Sequence, residues 1–332
     1  STLLPVNGLD PSFAADVGGS AIMRSDDLSR TLGTETWMML EGANPSGSFK
    51  DRGLAMAVAL AGVLGASRLC LPTQGNAGVA AALFSSRLGL ESCLVYMPLG
   101  HRGSRYHKAA EHYGAQDKFS GANIAAAGKQ MRSDVAQQLA NGQYVHVSTF
   151  FEPGRLEGKK TMGLEIATHF GASDLPEVMV YPTGGGTGLV GIWKAMTELV
   201  KLGVLHNDTK LPKLVAVQSS NCAPVVESFR SGLAEVEPVV SAGTCADGLD
   251  VPGAIMGHAM LAAIRESGGT AVSVSEDEIR QDFTWFGTRG IAAGYESAAT
   301  LAAARRLRAS GDISPNDKVL LLVTSGSNAA LG

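Results

Sequence analysis

Short apolar runs alternate with longer Ala-, Leu- and Val-rich segments from about residue 36 to residue 323. Runs of four to six apolar residues bounded by Gly, Pro or Ser read as buried strands, and apolar segments of ten or more read as helices. The pattern predicts strands at 36–40, 68–72, 92–97, 144–147, 178–181, 214–217, 270–274 and 318–323. It predicts helices over 54–64, 79–88, 124–139, 156–170, 260–267 and 297–309, one ending at 202 and one starting at 276, with a short helix at 26–32. Residues 101–114 read as a polar, basic helix followed by a turn, and 240–257 as an irregular, Gly-rich stretch. Residues 1–35 otherwise lack a strong period. Strands alternating with helices imply βαβ units and an α/β fold with parallel sheets. The block from about 53 to 147 contains enough such units to close as a small domain of its own.

Composition narrows the function classes. A chain of 332 residues is long enough for two domains. A net charge of -4 argues against a nucleic-acid partner, which would call for a basic face. Cys70, Cys93, Cys222 and Cys245 lie far apart with no Cys-x-x-Cys, and the seven histidines show no ligand spacing, so no metal site is expected. No basic segment followed by an apolar run opens the sequence, and no apolar run approaches the roughly 18 residues of a membrane span. A reduced, cytoplasmic setting is the expectation.

The stretch Asn44-Pro45-Ser46-Gly47-Ser48-Phe49-Lys50-Asp51-Arg52-Gly53 carries the first candidate chemistry. Pro45 and Gly47 mark a turn, and Ser48 with Asp51 three residues on reads as a capping box. The helix behind it is almost wholly apolar. Lys50 therefore stands in the first turn of a buried helix, where burial and the positive helix end both disfavour the ammonium form. A neutral amine there suits Schiff-base chemistry. Taken alone, a loop-capping lysine paired with Asp51 explains the stretch equally well.

Three further loops follow predicted strands, where open parallel sheets bind ligands. Gly184-Gly185-Gly186-Thr187-Gly188 reads as a phosphate cradle: four glycines let backbone N–H groups converge at a helix start, and Thr187 adds a hydroxyl. Thr73-Gln74-Gly75-Asn76-Ala77 opens another helix, whose N–H groups suit a carboxylate, with Asn76 placed to donate to a phenolate-like oxygen. Thr324 and Ser325 offer hydroxyls at the end of the last strand. Together these features fit pyridoxal 5'-phosphate: Lys50 on the aldehyde carbon, the 184–188 loop on the phosphate, Asn76 on the ring oxygen, and Ser325 or Thr324 on the ring nitrogen. A hydroxyl at that nitrogen favours elimination and replacement over transamination.

At these residues the sequence resembles the threonine synthase branch of the fold-type-II pyridoxal-phosphate enzymes. The lysine stretch looks like that family's lysine motif, Arg155-Leu156-Glu157-Gly158-Lys159-Lys160-Thr161 looks like its interdomain segment, and Pro182-Thr183-Gly184-Gly185-Gly186-Thr187-Gly188 is similar to its phosphate loop. The resemblance implies two domains, each an open mostly parallel sheet flanked by helices, with the active site in the cleft between them. Residues 1–52 and 148–332 would form the large domain and 53–147 the small mobile one. It implies Lys50 as catalytic lysine with Phe49 beside it in the cofactor site, and 73–77, Thr149 and Arg155 toward the substrate, Arg155 on its phosphate. The implied reaction converts O-phosphohomoserine and water to threonine and phosphate, in a homodimer.

The sequence departs from that pattern in places. Ala77 replaces a hydroxyl-bearing residue. Ser325-Gly326-Ser327-Asn328 is closer to the related serine and threonine dehydratases, and Tyr295-Glu296-Ser297 replaces Pro-Glu-Gly. A serine/threonine dehydratase or ammonia-lyase, or a β-replacement enzyme of the cysteate synthase type, therefore stands as an alternative. Outside catalysis, a phosphate-ligand binding protein on the same fold would keep the glycine loop. A nicotinamide dehydrogenase has only Gly186-Thr187-Gly188-Leu189-Val190-Gly191 in its favour, and the acid expected after the next strand is missing at Gln218-Ser219-Ser220. The cluster His101, Arg102, Arg105, His107 and Lys108 reads as a solvated helix face or a rim for an acidic substrate, and Glu157 with Lys159 as an interdomain pair.

Overall fold

A computed structural model describes residues 4–5 and 11–326. Among them the strands, in chain order, are β1 (Ala21–Arg24), β2 (Thr36–Leu40), β3 (Arg68–Pro72), β4 (Ser92–Met97), β5 (Gln116–Phe119), β6 (Val145–His146), β7 (Val178–Pro182), β8 (Lys213–Ser219), β9 (Thr270–Val274) and β10 (Val319–Val323). The described chain separates into two compact units, with divisions after residues 18, 43 and 159. The first unit takes in the described residues up to 18 and Asn44–Lys159; the second takes in Gly19–Ala43 and the described residues from 160 onward.

The first unit is built on an all-parallel four-stranded sheet in the order β5-β4-β3-β6. Alternate side chains face two cores, as the two-residue period of a strand requires. Leu69, Leu71, Val95 and Met97 pack with Leu54, Val58 and Ala80 to Phe84 of the alanine-rich helices Lys50–Val63 and Asn76–Leu88. Cys70, Leu94 and Tyr96 pack on the other face with Ala127, Met131 and Val135.

The second unit carries a six-stranded sheet in the order β1-β2-β10-β7-β8-β9, parallel except for β1. β7 and β10 are buried along their whole length, which explains their continuous apolar runs. One face buries Val180, Val217, Leu321 and Val323 against Ala298 to Ala304 of the helix Tyr295–Ser310. The α/β architecture with parallel sheets flanked by helices is thus the one the pattern predicts.

The differences have local causes. β1 and β5 escape the apolar pattern because both are short edge strands with two or three exposed side chains each. β5 reads Gln-Asp-Lys-Phe, with only Asp117 and Phe119 turned inward. The single helix expected over 124–139 is two, Ile124–Asp134 and Ala136–Ala140, because Val135 (φ -113°) breaks the helical backbone while staying in the core. The helix Pro224–Arg230 carries too short an apolar stretch to stand out. The expected capping box does not form. Phe49 already has helical backbone angles and no side chain caps the helix. The Asp51 carboxylate instead accepts from the Ser46 N–H at 2.6 Å and from the Ser46 hydroxyl, closing the turn that precedes the helix.

Candidate active site

In the first unit three candidate segments share one neighbourhood. Lys50 is the first residue of the helix Lys50–Val63, is half-buried, and holds its Nζ 4.5 Å from the centre of the Phe49 ring. Three residues later, Gly53 faces the helix Gly154–Phe170, where an added Cβ would lie 2.9 Å from the Arg155 carbonyl oxygen and 3.2 Å from Lys159 Cε. Arg155 thus rests against the first turn of the lysine helix. Arg155 is 2% exposed, donates from Nη1 to the Val147 carbonyl at 3.2 Å, and among the described residues leaves Nε without a hydrogen-bond partner. Burial pulls its pKa down to about 10, opposed by the Glu152 carboxylate. Glu152, raised by its own burial, accepts from the N–H groups of Gly154 at 2.5 Å and Arg155 at 2.9 Å.

β3 and β6 are hydrogen-bonded neighbours, so the 73–77 loop and the 147–153 segment leave the same sheet edge side by side. The Thr73 hydroxyl is buried and committed to its own loop. It accepts from the N–H of Gly75 at 3.1 Å and of Gly78 at 3.2 Å, and donates to the Gly75 carbonyl at 3.1 Å. Gln74, Gly75, Asn76 and Ala77 are half-buried at the uncapped start of the helix Asn76–Leu88. The Tyr106 ring lies where a Gly75 Cβ would meet it at 3.5 Å, and the Arg105 guanidinium stacks on Tyr106 at 4.2 Å. Thr149 is half-buried and precedes Phe150, which has a left-handed backbone (φ 59°) unusual for a bulky residue. The remaining basic cluster is partly structural: Arg102 stacks on Phe119 at 4.3 Å, and His107 stands 3.7 Å from the Asp117 carboxylate.

The second unit brings the other candidates to one edge. β7 runs into the 184–188 loop, and its parallel neighbour β10 runs into Thr324 and Ser325. An added Cβ at Gly184 would lie 2.1 Å from the Gly248 carbonyl oxygen, and one at Gly188 1.8 Å from the Tyr181 hydroxyl. Gly186 is left-handed (φ 76°) and precedes the helix Thr187–Lys201, which has no side-chain cap. Among the described residues Gly184, Gly185 and Gly186 donate no backbone hydrogen bond. Close-packed glycines, unused N–H groups and a helix start form an anion cradle. Thr187 is buried in its wall.

Thr324 and Ser325 are both 3% exposed. The Thr324 N–H donates to the Ser297 hydroxyl at 3.1 Å, whereas the buried Ser325 hydroxyl has no partner among the described residues. A buried hydroxyl without a partner is a rarity that a ligand atom would relieve. Ser327 and Asn328 of the same motif lie outside the described residues. Glu296 was absent from the sequence-derived candidates. Its carboxylate accepts from the Gly248 N–H at 2.8 Å and so braces the turn that walls Gly184. Its signal was the position of Glu296 at the start of a helix, facing a Gly-rich stretch. Cys245, by contrast, is tied to a helix start, its N–H donating to Glu276 at 2.7 Å.

An anion cradle and an unpartnered hydroxyl on one edge suit the phosphate and ring nitrogen of pyridoxal phosphate, so the residues present fit that group. Among the described residues no cluster of His, Cys, Asp or Glu has metal-ligand geometry, and no helix is long and apolar enough to cross a membrane.

Comparison with known proteins agrees with this chemistry. The family model described as "Pyridoxal-phosphate dependent enzyme" matches residues 14–325. The threonine synthase of Methanocaldococcus jannaschii is 29% identical over 97% of this chain and 77% of its own length. That of Methanosarcina acetivorans is 30% identical over 92% and 74%. Among solved structures, maize serine racemase superposes with a TM-score of 0.78 at 18% identity, covering 95% of this chain and 92% of its own. An L-serine ammonia-lyase from Rhizomucor miehei has the same score at 20% identity, covering 95% of each. At such identities the structural likeness speaks for the fold. With an anion cradle, a half-buried lysine at a helix start and a family match spanning nearly the whole chain, this protein belongs to the fold-type-II pyridoxal-phosphate-dependent enzymes.

Proposed function

We propose that the protein is a carbon–oxygen lyase of threonine synthase type, converting O-phosphohomoserine and water to threonine and phosphate. The observation that carries this reading is Arg155. A guanidinium that is buried against the first turn of the lysine helix, with one N–H unpartnered, is costly unless an anion meets it. A departing phosphate is such an anion.

In this reading Lys50 would hold the cofactor and the 184–188 loop, with Thr187, would hold its phosphate. Phe49 and Asn76 line the ring, Asn76 donating to its phenolic oxygen. Ser325, rather than Thr324, would meet the ring nitrogen, because the Ser325 hydroxyl has no other partner among the described residues. Bound pyridoxal phosphate supplies an electron sink for the substrate α-carbon. Lys50 Nζ would take protons from Cα and Cβ and return protons to Cγ and Cα, while the proton given up by the attacking water leaves with the phosphate. The helix start at 74–77, whose Gly75 N–H the Thr73 hydroxyl already holds, would offer its remaining N–H groups to the substrate carboxylate. Arg155 takes the charge of the leaving phosphate as the Cγ–O bond breaks, with Thr149 beside it. Water oxygen then bonds to Cβ.

One observation favours a second reading, a serine or threonine dehydratase. Ala77 brings a methyl group, and the Thr73 hydroxyl is committed to its own loop, so neither adds a hydroxyl for a phosphate. Supplying the cofactor-loaded protein with O-phosphohomoserine decides between them. We expect one phosphate released per threonine formed, and Arg155→Lys to lower kcat/KM by roughly 10–100-fold, the weight of a charge-assisted bond. Absence of phosphate release, with keto acid and ammonia from serine or threonine, would replace the synthase by the dehydratase. A 3-substituted alanine formed with an added nucleophile would replace it by a β-replacement enzyme.

A further inference from the structure

A second lysine stands at the first. Lys159 is fully buried, its Nζ donates to the Phe49 carbonyl, and that nitrogen lies 3.5 Å from the centre of the Phe49 ring. Lys50 Nζ stands over the same ring at 4.5 Å. Two amines therefore address one aromatic residue, the one immediately before Lys50. The geometry points to Lys159 as a positioning residue for Lys50: it fixes Phe49 by carbonyl and ring, and it keeps a second positive charge beside the Lys50 amine.

Both parts follow from elementary effects. Phe49 and Lys50 are consecutive, so anchoring the Phe49 carbonyl sets the direction in which the Lys50 side chain leaves the helix start. A neighbouring cation disfavours the ammonium form of Lys50 and enlarges the neutral, nucleophilic fraction. The other charges on the packed elements include Asp51 and Arg52 on the lysine helix, Arg87 on the helix Asn76–Leu88, whose charge acts on Asp51, and Glu152, Arg155, Glu157, Lys160 and Glu165 on the segment packed against it. The Asp51 carboxyl, pushed up to about 6 by burial, feels the Lys159 charge directly. Its own hydrogen bonds hold it to Ser46.

The inference rests on the reading that Lys50 carries the cofactor, and one experiment separates the two. Borohydride reduction of the cofactor-loaded protein followed by peptide mass analysis should place the reduced cofactor on Lys50; finding it elsewhere overturns that reading and this inference with it. With Lys50 labelled, the rate at which apoprotein takes up pyridoxal phosphate is followed against pH for wild type, Lys159→Gln, Lys159→Met and Lys159→Arg. Loss of the charge should move the midpoint of the profile up by about one pH unit and slow attachment at pH 7 roughly tenfold, and Lys159→Arg should restore both. A Gln variant that folds, binds cofactor and keeps the wild-type midpoint overturns the inference. So does an Arg variant that fails to restore the midpoint. Should Met and Gln fold poorly, Lys159→Arg still tests the inference, a displaced midpoint in a folded Arg variant overturning it.

Discussion

Two loops do comparable jobs in the two units, and they are built on opposite principles. The 184–188 loop of the second unit is a cradle made by exclusion: Cβ atoms at Gly184 and Gly188 would lie about 2 Å from their neighbours, and among the described residues the N–H groups of 184–186 make no backbone hydrogen bond. The 73–77 loop of the first unit is tied by its own side chain, with the Thr73 hydroxyl occupying the N–H groups of Gly75 and Gly78. Both open a helix whose N-cap residue is a glycine with no capping side chain of its own. In the proposed reading the first loop keeps its donors for the cofactor's doubly charged phosphate. The second keeps fewer, which suits a single carboxylate. The difference teaches that a glycine count alone does not measure anion capacity; what matters is how many N–H groups the loop leaves unanswered.

The comparison breaks most visibly at Gly184. Its missing Cβ faces a backbone carbonyl rather than the end of a flexible side chain, so Gly184→Ala must move either the loop or the 247–249 turn. Glu296, holding the Gly248 N–H, resists movement of that turn. We expect cofactor affinity to fall by about a hundredfold, equivalent to about 3 kcal/mol, within the range for overpacking a tight site. Equilibrium dialysis of cofactor against the variant measures it. Wild-type affinity in Gly184→Ala would mean that the cradle is looser than its contacts imply.

The first unit is sharpened by pH. Burial raises the Asp51 carboxyl to about 6 from an ordinary value of 3.8, outweighing its bonds from Ser46 and the Lys159 charge. The folded form then holds the Asp51 proton more tightly than the unfolded chain does. Its contribution is fully present below about pH 4 and is lost as pH rises through about 6. The shift corresponds to at most about 3 kcal/mol. Thermal denaturation of wild type and Asp51→Asn between pH 4 and pH 7 should show wild type losing stability relative to the variant across that window. A difference that stays flat, or reverses, contradicts the assigned burial.

Much of this was legible in the sequence, for identifiable reasons. Buried parallel strands such as β7 and β10 announce themselves as unbroken apolar runs, and the 184–188 glycines as a departure from any ordinary turn. The lysine stretch was found because its turn residues and apolar helix adjoin. What escaped depends on contacts distant in sequence. β5 is a strand because β4 gives it a partner, not because Gln-Asp-Lys-Phe prefers to extend. Asp51 turned back to Ser46 rather than capping with Ser48, since Phe49 had already taken helical angles. Tyr106 meets Gly75 and Lys159 meets Phe49 across 31 and 110 positions, separations that no local period encodes.

The smallest expected effect on the fold is also the most discriminating for the second unit. Ser325 carries a buried hydroxyl with no partner among the described residues, so its removal deletes an unsatisfied polar atom and breaks no bond seen there. A structural serine would lose stability on truncation, as Ser297 should, because its hydroxyl accepts from the Thr324 N–H. Ser325→Ala is therefore expected to leave the Tm of the apoprotein unchanged or slightly raised. If that hydroxyl meets the cofactor's ring nitrogen, the same change should weaken cofactor binding by roughly tenfold, the weight of one hydrogen bond, and alter the bound cofactor's absorption. Calorimetry of the apoprotein and dialysis with cofactor read the two quantities separately. A drop in apoprotein Tm with unchanged affinity would make Ser325 part of the fold and return the ring-nitrogen role to Thr324, one residue earlier on the same strand end.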